Sequence, residues 1–303
     1  MRRLLMTLLT AAALNAPVAS AAPLQWQPAQ LSQSVQRDLQ SRITDTRYRL
    51  FVSAPSTPAP AAGWPVLYVL DGNALFPALA MQARAADLRA ERSGAEPVLV
   101  VGIGYPVEGL YDMPARAQDY TPSPRHTEVE PDRQRDADDF ARVIEEEIKP
   151  LIAAQYSVDQ SRQTLFGHSY GGLFTLHVLL HSPASFSGYV AASPSIWWDQ
   201  HSLLEAVPSF VGNTEGQPRK LRLLLSVGLA EEPSADAGGD QRTALLRQRR
   251  MVSNVKALFT QLQPLTGKKL DSELLLIAGA DHGASALVTS LRVLDFAVQP
   301  TSP

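Results

Sequence analysis

The chain has 303 residues, of which 45% are hydrophobic and 19% are charged, the composition of a globular protein with a core and not of a disordered tail. Its formal net charge is −3, so we expect no general attraction to nucleic acid or to anionic membranes. The absence of cysteine excludes disulfides, thiol catalysis and thiolate metal sites.

Residues 1–21 have the pattern of a cleaved signal peptide. Two arginines at positions 2 and 3 precede an apolar run, and the A-S-A at 19–21 fits the small-residue pattern of a cleavage site. The apolar run is short for a bilayer span, so cleavage is preferred over an uncleaved anchor. We therefore expect an exported protein without membrane insertion. Its mature part, 22–303, would have a formal charge of 25 − 30 = −5.

Short apolar runs that each end at a turn alternate with helical patterns along the rest of the chain. Strands are expected near 33–43 and at 47–52, 66–72, 98–104, 164–169, 189–195, 221–228 and 273–282. Helices are expected at 75–92, at 136–154, after Gly171, at 240–263 and at 284–297. This alternation predicts one doubly wound α/β domain with a mostly parallel central sheet flanked by helices.

The segment 107–135 does not fit the alternation. It contains several prolines and many charges, shows no periodicity, and is too long for an ordinary connection between a strand and a helix. Long irregular loops at the carboxyl ends of strands usually contact ligands. We therefore expect this loop near the active site, with a solvated surface loop as the alternative.

The motif G-H-S-Y-G at 167–171 follows a predicted strand and precedes a predicted helix. In that context G-x-S-x-G is the nucleophile elbow of the α/β-hydrolases, a tight turn that projects the serine above the sheet. The glycines are expected because side chains at 167 and 171 would collide with neighbouring backbone. The sequence therefore predicts Ser169 as a nucleophile at the positive end of the following helix.

A serine hydroxyl needs a general base to act as a nucleophile. Chain order in this fold is serine, acid, histidine, and a histidine after the last strand meets that order, which selects His282. His168 is adjacent to the serine and is expected to point away from it. His177 and His181 lie four residues apart on a helix, but no glutamate completes an H-E-x-x-H motif, so no metal site is predicted.

The acid that would orient the histidine is left open by the sequence. Glu231, just past the strand at 221–228, is the first choice, and Glu232 is the second. A third alternative is that both glutamates are solvated and that a Ser–His pair acts without an acid.

The oxyanion hole of this fold uses two backbone N–H groups. One is predicted at Tyr170, directly after the nucleophile. The other is predicted in the L-D-G-N turn after the strand at 66–72, at Gly72 or Asn73. The alternative for this second stretch is a simple turn.

Six stretches resemble one branch of the α/β-hydrolases, the esterases related to esterase D, and look most like the periplasmic trilactone-siderophore esterases of the IroE and PfeE type. They are VLYVLDGNALF (66–76), RAQDYTP (116–122), FGHSYGGLFTLHVLL (166–180), AASPSIWWD (191–199), SVGLAEE (226–232) and GADHGAS (279–285). The resemblance implies periplasmic hydrolysis of the ester backbone of a catecholate siderophore such as ferric enterobactin. It also implies Ser169 and His282 as a catalytic pair without an acid, and the amides of Gly72 and Tyr170 as oxyanion donors.

A ferric tris-catecholate is a bulky anion with aromatic faces, so its site should offer aromatic surface and a cation. Trp197 and Trp198 follow the strand beside the elbow, and at least one is expected to contact the ligand. Arg116 and Arg125 in the 107–135 segment are expected to meet the anion, with solvated arginines as the alternative. Asn73 is a further candidate for substrate binding.

No cofactor is expected, because iron would arrive as part of the substrate. The expected partners are the siderophore itself and, through that role, the iron-uptake machinery. Two other functions stay open. One is a secreted carbohydrate or feruloyl esterase, and the other is a protein that binds a siderophore on a hydrolase fold without cleaving it. The intact serine, histidine and elbow glycines disfavour the second.

Overall fold

The computed structural model describes residues 26, 29–94, 96–128, 133–212, 219–234 and 238–299. The predicted signal peptide, residues 1–21, lies outside the described residues. The chain divides into a short unit, Met1–Ser32, and a compact unit, Gln33–Pro303, which contains every described helix and strand. None of the helices in the described part of the chain has the length and the apolar character needed to cross a membrane.

The described residues of the compact unit form one eight-stranded sheet. Its strands are β1 (Ser34–Gln40), β2 (Arg47–Ser53), β3 (Trp64–Val69), β4 (Leu99–Gly104), β5 (Val158–His168), β6 (Gly188–Ala192), β7 (Leu221–Gly228) and β8 (Leu270–Ile277). Their order is β1-β2-β4-β3-β5-β6-β7-β8. The pairs β1/β2 and β2/β4 are antiparallel, and all the remaining pairs of neighbouring strands are parallel. Every residue of β6 and β7 is buried, as continuous apolar runs in a parallel sheet require. The predicted α/β-hydrolase fold with its mostly parallel sheet is confirmed.

Helices cover both faces of this sheet. They are α1 (Gly72–Ser93), α2 (Met113–Tyr120), α3 (Ala137–Arg142), α4 (Lys149–Ala153), α5 (Tyr170–His181), α6 (Val207–Gly212), α7 (Gln241–Arg249), α8 (Met251–Leu262) and α9 (His282–Val298). A π-helical turn spans Val143–Ile148, and 3₁₀ turns span Trp198–Ala206, Leu229–Glu231 and Gln263–Leu265. In one layer α1 packs on α9, and in the other α5, α6 and α8 are neighbours.

The helix predicted at 136–154 is present as an unbroken helical run over residues 137–153, with a π-helical turn in its middle. Asp136 caps it by accepting hydrogen bonds from the N–H groups of Asp138 and Asp139, at 3.0 and 3.3 Å. The π-helical turn joins α3 to α4. Pro150 has no N–H to donate to the carbonyl four residues earlier, at Glu146, and a widened turn accommodates that missing bond.

The segment 107–135 is not irregular throughout, contrary to the prediction, because α2 lies inside it. Asp112 caps α2 by accepting a hydrogen bond from the N–H of Ala115 at 3.0 Å. The buried residues of α2 are Arg116, Asp119 and Tyr120, which lie on one face. Two of these three are charged, so the hydrophobic pattern of the sequence does not reveal the helix.

The helix predicted at 240–263 is two helices. Arg250 adopts a left-handed conformation, with φ of 49°, between α7 and α8. The apolar face of α8 packs against β7 and β8. All nine residues of α7 are described and none of them is buried, so packing does not hold α7 in line with α8.

The elbow lies where β5 passes into α5. Ser169 has φ of 60° and ψ of −117°, a backbone conformation that few non-glycine residues adopt. A Cβ atom on Gly167 would lie 2.1 Å from the carbonyl oxygen of Gly171, and one on Gly172 would lie 2.9 Å from that of Ala192. A Cβ on Gly171 would have its nearest neighbour at 3.4 Å. The predicted collision therefore holds at position 167 and is wrong at 171, and Gly172 is the second constrained glycine.

We expect Gly167→Ala to destabilise the fold and Gly171→Ala to be tolerated. The first change forces a methyl group into backbone and should cost about 3 kcal/mol or more. The second places alanine in a helix with ordinary contacts and should leave stability unchanged or raise it by up to about 1 kcal/mol. Urea unfolding of the two variants beside the wild type measures both effects. Equal destabilisation by the two substitutions would contradict this account of the elbow.

Candidate active site

Three side chains meet at the carboxyl end of the sheet. Ser169 follows β5, Glu231 ends the turn after β7, and His282 begins α9 after β8. The Nε2 atom of His282 lies 3.0 Å from the hydroxyl of Ser169, and Nδ1 lies 2.6 Å from Oε2 of Glu231. In this geometry the imidazole can take the serine proton while the carboxylate holds the opposite nitrogen. The sequence predicts Ser169 as the nucleophile, His282 as the base and Glu231 as the first choice for the acid. The structure brings these three side chains together.

The carboxylate of Glu231 is buried, and its side chain is only 1% exposed. Burial raises the pKa of Glu231, but hydrogen bonds from His282, Ser193 and the N–H of Gly228 outweigh it and hold the pKa below its ordinary value. The hydroxyl of Ser193 donates at 2.5 Å and the Gly228 N–H at 2.8 Å. Glu231 is therefore ionised at neutral pH, as an acid that orients an imidazole must be.

Glu232, the second choice, has a different environment. Its two carboxylate oxygens accept hydrogen bonds from the N–H and the hydroxyl of Ser253, at 2.7 and 2.5 Å. These bonds hold the first turn of α8. Glu232 therefore attaches α8 to the turn after β7 and does not contact His282.

The two residues predicted to supply oxyanion donors begin neighbouring helices. Gly72 is the first residue of α1 and Tyr170 is the first residue of α5, and the strands before them, β3 and β5, are adjacent and parallel. A Cβ atom on Gly72 would lie 2.9 Å from the backbone of Gly102 and Ile103, so glycine is required there by space. The amides of the two helix starts thus lie at the same edge of the sheet, the edge from which Ser169 projects.

A cavity that is open to solvent contains the reacting groups. Ser169, His282 and Glu231 line it together with Tyr170 and Trp197. A second, more open compartment adjoins it and shares three of its lining residues, Trp197, Leu245 and Arg249. The guanidinium of Arg249 lies 4.6 Å from the centre of the Trp197 ring.

The family described as "Putative esterase" matches residues 41–263 of the chain. The chain belongs to this family. It is 35% identical over 274 residues to ferri-bacillibactin esterase BesA of Bacillus subtilis strain 168, covering 88% of this chain and 90% of that protein.

Solved structures agree with this assignment. The structure is similar to that of the BES protein from Bacillus cereus, with a TM-score of 0.78 and 30% identity over 92% of this chain and 100% of that one. It is also similar to the enterobactin and salmochelin hydrolase IroE, with a TM-score of 0.63 and 25% identity over 88% and 95% of the two chains. The chain is a serine hydrolase of carboxylic esters, and the resemblance to this esterase branch is confirmed.

Arg116 of the esterase lies in the cavity wall, but its charge is already paired. The guanidinium makes a bidentate contact with Asp71, Nε to Oδ1 at 2.8 Å and Nη2 to Oδ2 at 2.7 Å, and both side chains are buried. The rings of Tyr111, Tyr120 and Tyr170 lie 5.4–5.7 Å from the guanidinium carbon. The contact ties α2 to the residue before Gly72. Its geometry favours a structural contribution over the predicted capture of a substrate anion.

The side chain of Asn73 is also engaged within the protein. Its amide nitrogen donates to the carbonyl of Tyr105 at 2.9 Å, and its oxygen accepts from the Tyr105 N–H at 2.9 Å. Both polar atoms of the amide hold the backbone just past β4. The geometry therefore does not support the predicted substrate contact by Asn73.

Arg125 and Trp198 do not line the cavity formed by the described residues. The Nη1 atom of Arg125 lies 3.5 Å from Glu205, and its backbone N–H donates to Asp199 at 2.6 Å. Trp198 packs edge-on against Tyr170, with ring centres 5.7 Å apart. Of the two predicted tryptophans, Trp197 faces the cavity and Trp198 supports Tyr170.

Two arginines of α7 that the sequence did not single out line the cavity. Arg242 and Arg249 are seven residues apart, two helical turns, and so lie on the same face of α7. Arginines at such spacing on a helix are common on solvated surfaces, so nothing in the sequence marks them. They become candidates for substrate binding only because the fold places this face of α7 in the cavity wall.

His168 contacts His282, which the sequence also did not predict. The two rings are 4.5 Å apart between centres, and Nε2 of His168 lies 2.8 Å from the backbone carbonyl oxygen of His282.

In the part of the chain that the structure describes, no group of three or more histidine, aspartate or glutamate side chains could hold a metal ion. His177 instead lies 2.7 Å from Asp138 through its Nε2 atom.

We expect Glu231→Gln to lower kcat by a factor on the order of 10³–10⁴, because an amide cannot hold the imidazole as a carboxylate does. Glu232→Gln is the matched control, and we expect its kcat to remain within about threefold of the wild type. Turnover of p-nitrophenyl acetate, with melting curves to verify folding, measures both. Wild-type kcat in folded Glu231→Gln would instead favour the Ser–His pair without an acid.

Proposed function

We propose that this esterase hydrolyses the trilactone backbone of a catecholate siderophore, such as ferric enterobactin, and so aids iron release. The observation that carries the proposal is the hydrogen-bonded chain of Ser169, His282 and Glu231, which opens into a cavity with Trp197 and two arginines in its wall. Relatives named as ferri-bacillibactin esterase and as enterobactin and salmochelin hydrolase support the choice of substrate class.

In the proposed reaction the hydroxyl oxygen of Ser169 attacks an ester carbonyl of the trilactone while Nε2 of His282 takes its proton. The ester C–O bond then breaks, and the leaving alcohol receives that proton. A water molecule then attacks the acyl carbon and gives a proton to His282. The bond between that carbon and Oγ of Ser169 breaks, His282 returns the proton to Oγ, and the carboxylic acid leaves. Glu231 holds Nδ1–H of the imidazole throughout and stabilises the imidazolium.

The negative charge of each tetrahedral intermediate needs donors that are already in place. We assign this role to the amides of Gly72 and Tyr170, which begin α1 and α5 at the positive ends of the two helices. The left-handed conformation of Asp71, with φ of 51°, and its contact with Arg116 hold the first of these helix starts.

The cavity wall fits an anionic aromatic ester. Trp197 offers an aromatic face, and Arg242 and Arg249 offer positive charge at a site of a protein that is acidic overall. Arg116 adds little net charge, because Asp71 neutralises it. Recognition of the anion is therefore assigned to α7. A sugar ester would need hydrogen-bonding asparagine and aspartate side chains, which do not line the cavity among the described residues.

The location and the partners follow from the same proposal. The signal-peptide pattern of residues 1–21 supports export to the periplasm. There the esterase would meet siderophores brought in by the iron-uptake machinery, and contact with that machinery belongs to the proposal. No cofactor is needed, because iron enters as part of the substrate.

The direct test is to incubate purified protein with ferric and with iron-free enterobactin and to follow the products by mass spectrometry. We expect linear trimer or shorter fragments from the wild type. Ser169→Ala should be slower by a factor on the order of 10⁴ or more, because the nucleophile is lost. Intact siderophore alongside turnover of p-nitrophenyl acetate would reject the siderophore and favour a feruloyl or carbohydrate ester. Failure of folded protein to react with a fluorophosphonate would favour a binding protein.

Charge recognition is tested by the ratio of kcat/KM for ferric enterobactin to kcat/KM for p-nitrophenyl acetate. We expect Arg249→Ala to lower this ratio about tenfold, because a charge-assisted contact to the anion is lost. Arg116→Ala should lower both values together, since it leaves the buried Asp71 unpaired beside Gly72, and should reduce stability by about 3–5 kcal/mol.

Arg142→Ala controls for the loss of one positive charge. Arg142 is exposed, pairs with Glu146 and does not line the cavity, so the ratio should stay at the wild-type value. A ratio that falls equally in Arg249→Ala and Arg142→Ala would show that overall charge, and not α7, selects the anion.

A further inference from the structure

His168 and His282 are in contact although they are 114 residues apart. Their rings lie 4.5 Å apart at an angle of 43°. Nε2 of His168 is 2.8 Å from the carbonyl oxygen of His282, the first residue of α9. A carbonyl oxygen can only accept, so Nε2 of His168 carries the hydrogen and donates it.

The carbonyl of His282 is also approached by the hydroxyl of Ser285, at 2.9 Å. That hydroxyl lies 2.6 Å from the hydroxyl of Ser193, which in turn lies 2.5 Å from Oε1 of Glu231. The two hydroxyls make three contacts but have only two hydrogens between them. One of the three contacts is therefore without a hydrogen at any moment.

The carboxylate of Glu231 is the charged acceptor of this set, and its contact with Ser193 is the shortest of the three. Ser193 therefore donates to Glu231, and Ser285 divides its single hydrogen between Ser193 and the carbonyl of His282. The N–H of His168 is the side-chain donor that reaches this carbonyl whichever way Ser285 points.

His168 is suited to this task because it stays neutral. It is 8% exposed, and burial lowers its pKa to about 3. The hydrogen bond to the His282 carbonyl and the charge of Glu231 act in the opposite direction but do not outweigh burial. A neutral ring beside His282 does not repel the imidazolium that forms when His282 takes the serine proton.

We propose that His168 is a positioning residue for ester hydrolysis, whose Nε2–H fixes the backbone of His282 and whose ring supports the imidazole that takes the Ser169 proton. It acts through His282 and does not touch the reacting ester. This role depends on the serine hydrolase chemistry and not on which ester is the substrate.

The test compares His168→Gln with His168→Asn. The longer amide can place its N–H near the position of Nε2, whereas the shorter one cannot reach the carbonyl of His282. We expect kcat for p-nitrophenyl acetate to fall about tenfold in His168→Asn, with KM within twofold of the wild type, because one hydrogen bond that orients the base is lost. In His168→Gln we expect kcat within about threefold of the wild type.

The rate at which a fluorophosphonate labels Ser169 should follow the same order, since labelling uses the same serine and base without substrate binding. Wild-type kcat in His168→Asn, or an equal loss of kcat in His168→Gln, would overturn the proposal, as would a loss expressed only in KM. If His168→Asn does not fold, His168→Phe, which keeps a flat ring and removes the donor, is compared with His168→Gln under the same criteria.

Discussion

The buried carboxylate of Glu231 is the interaction on which the rest of the site depends. An ionised group at 1% exposure is tolerated only if donors surround it, and here they come from three parts of the chain. Ser193 follows β6, the Gly228 N–H ends β7, and His282 begins α9 after β8. Satisfying one charge therefore draws three neighbouring strand ends together. The orientation of the imidazole is a consequence of that requirement.

The same edge of the sheet concentrates backbone strain. Asp71, Ser169 and Ser193 follow β3, β5 and β6, and their φ angles are 51°, 60° and 41°. Each such residue costs about 1–3 kcal/mol and persists only where the surroundings hold it. The Asp71 N–H donates to the Tyr120 hydroxyl, and the N–H groups of Ser169 and Ser193 donate to carbonyls of the next strands, β6 and β7. Hydrogen bonds between neighbouring strand ends thus maintain the conformation that exposes the serine.

The sequence predicts what is local and misses what depends on distant partners. The sequence predicts the role of Ser169 because the strand, the tight turn and the helix of the elbow are formed by consecutive residues. It predicts the role of His282 because that residue directly follows the last strand. Arg116 could not be placed, since its carboxylate partner, Asp71, lies 45 residues away and cancels the charge expected to meet the anion. The sequence did not predict α2, the helix that contains Arg116, because two of the three buried residues of this helix are charged. The contact of His168 with His282 requires the fold itself.

With anion recognition assigned to α7, as proposed above, the reacting groups and the groups that select the substrate are held by different parts of the esterase. Ser169, Glu231 and His282 are held by buried strand ends, whereas Arg242 and Arg249 lie on α7, which buries no residue and joins α8 through the left-handed Arg250. Segments with few buried contacts are the ones that change conformation at low free-energy cost. Substitutions in α7 can alter the charge and shape that a bulky substrate meets while the reacting atoms keep their positions. Under the proposed assignment, selectivity for a substrate anion is separable from the capacity to cleave an ester.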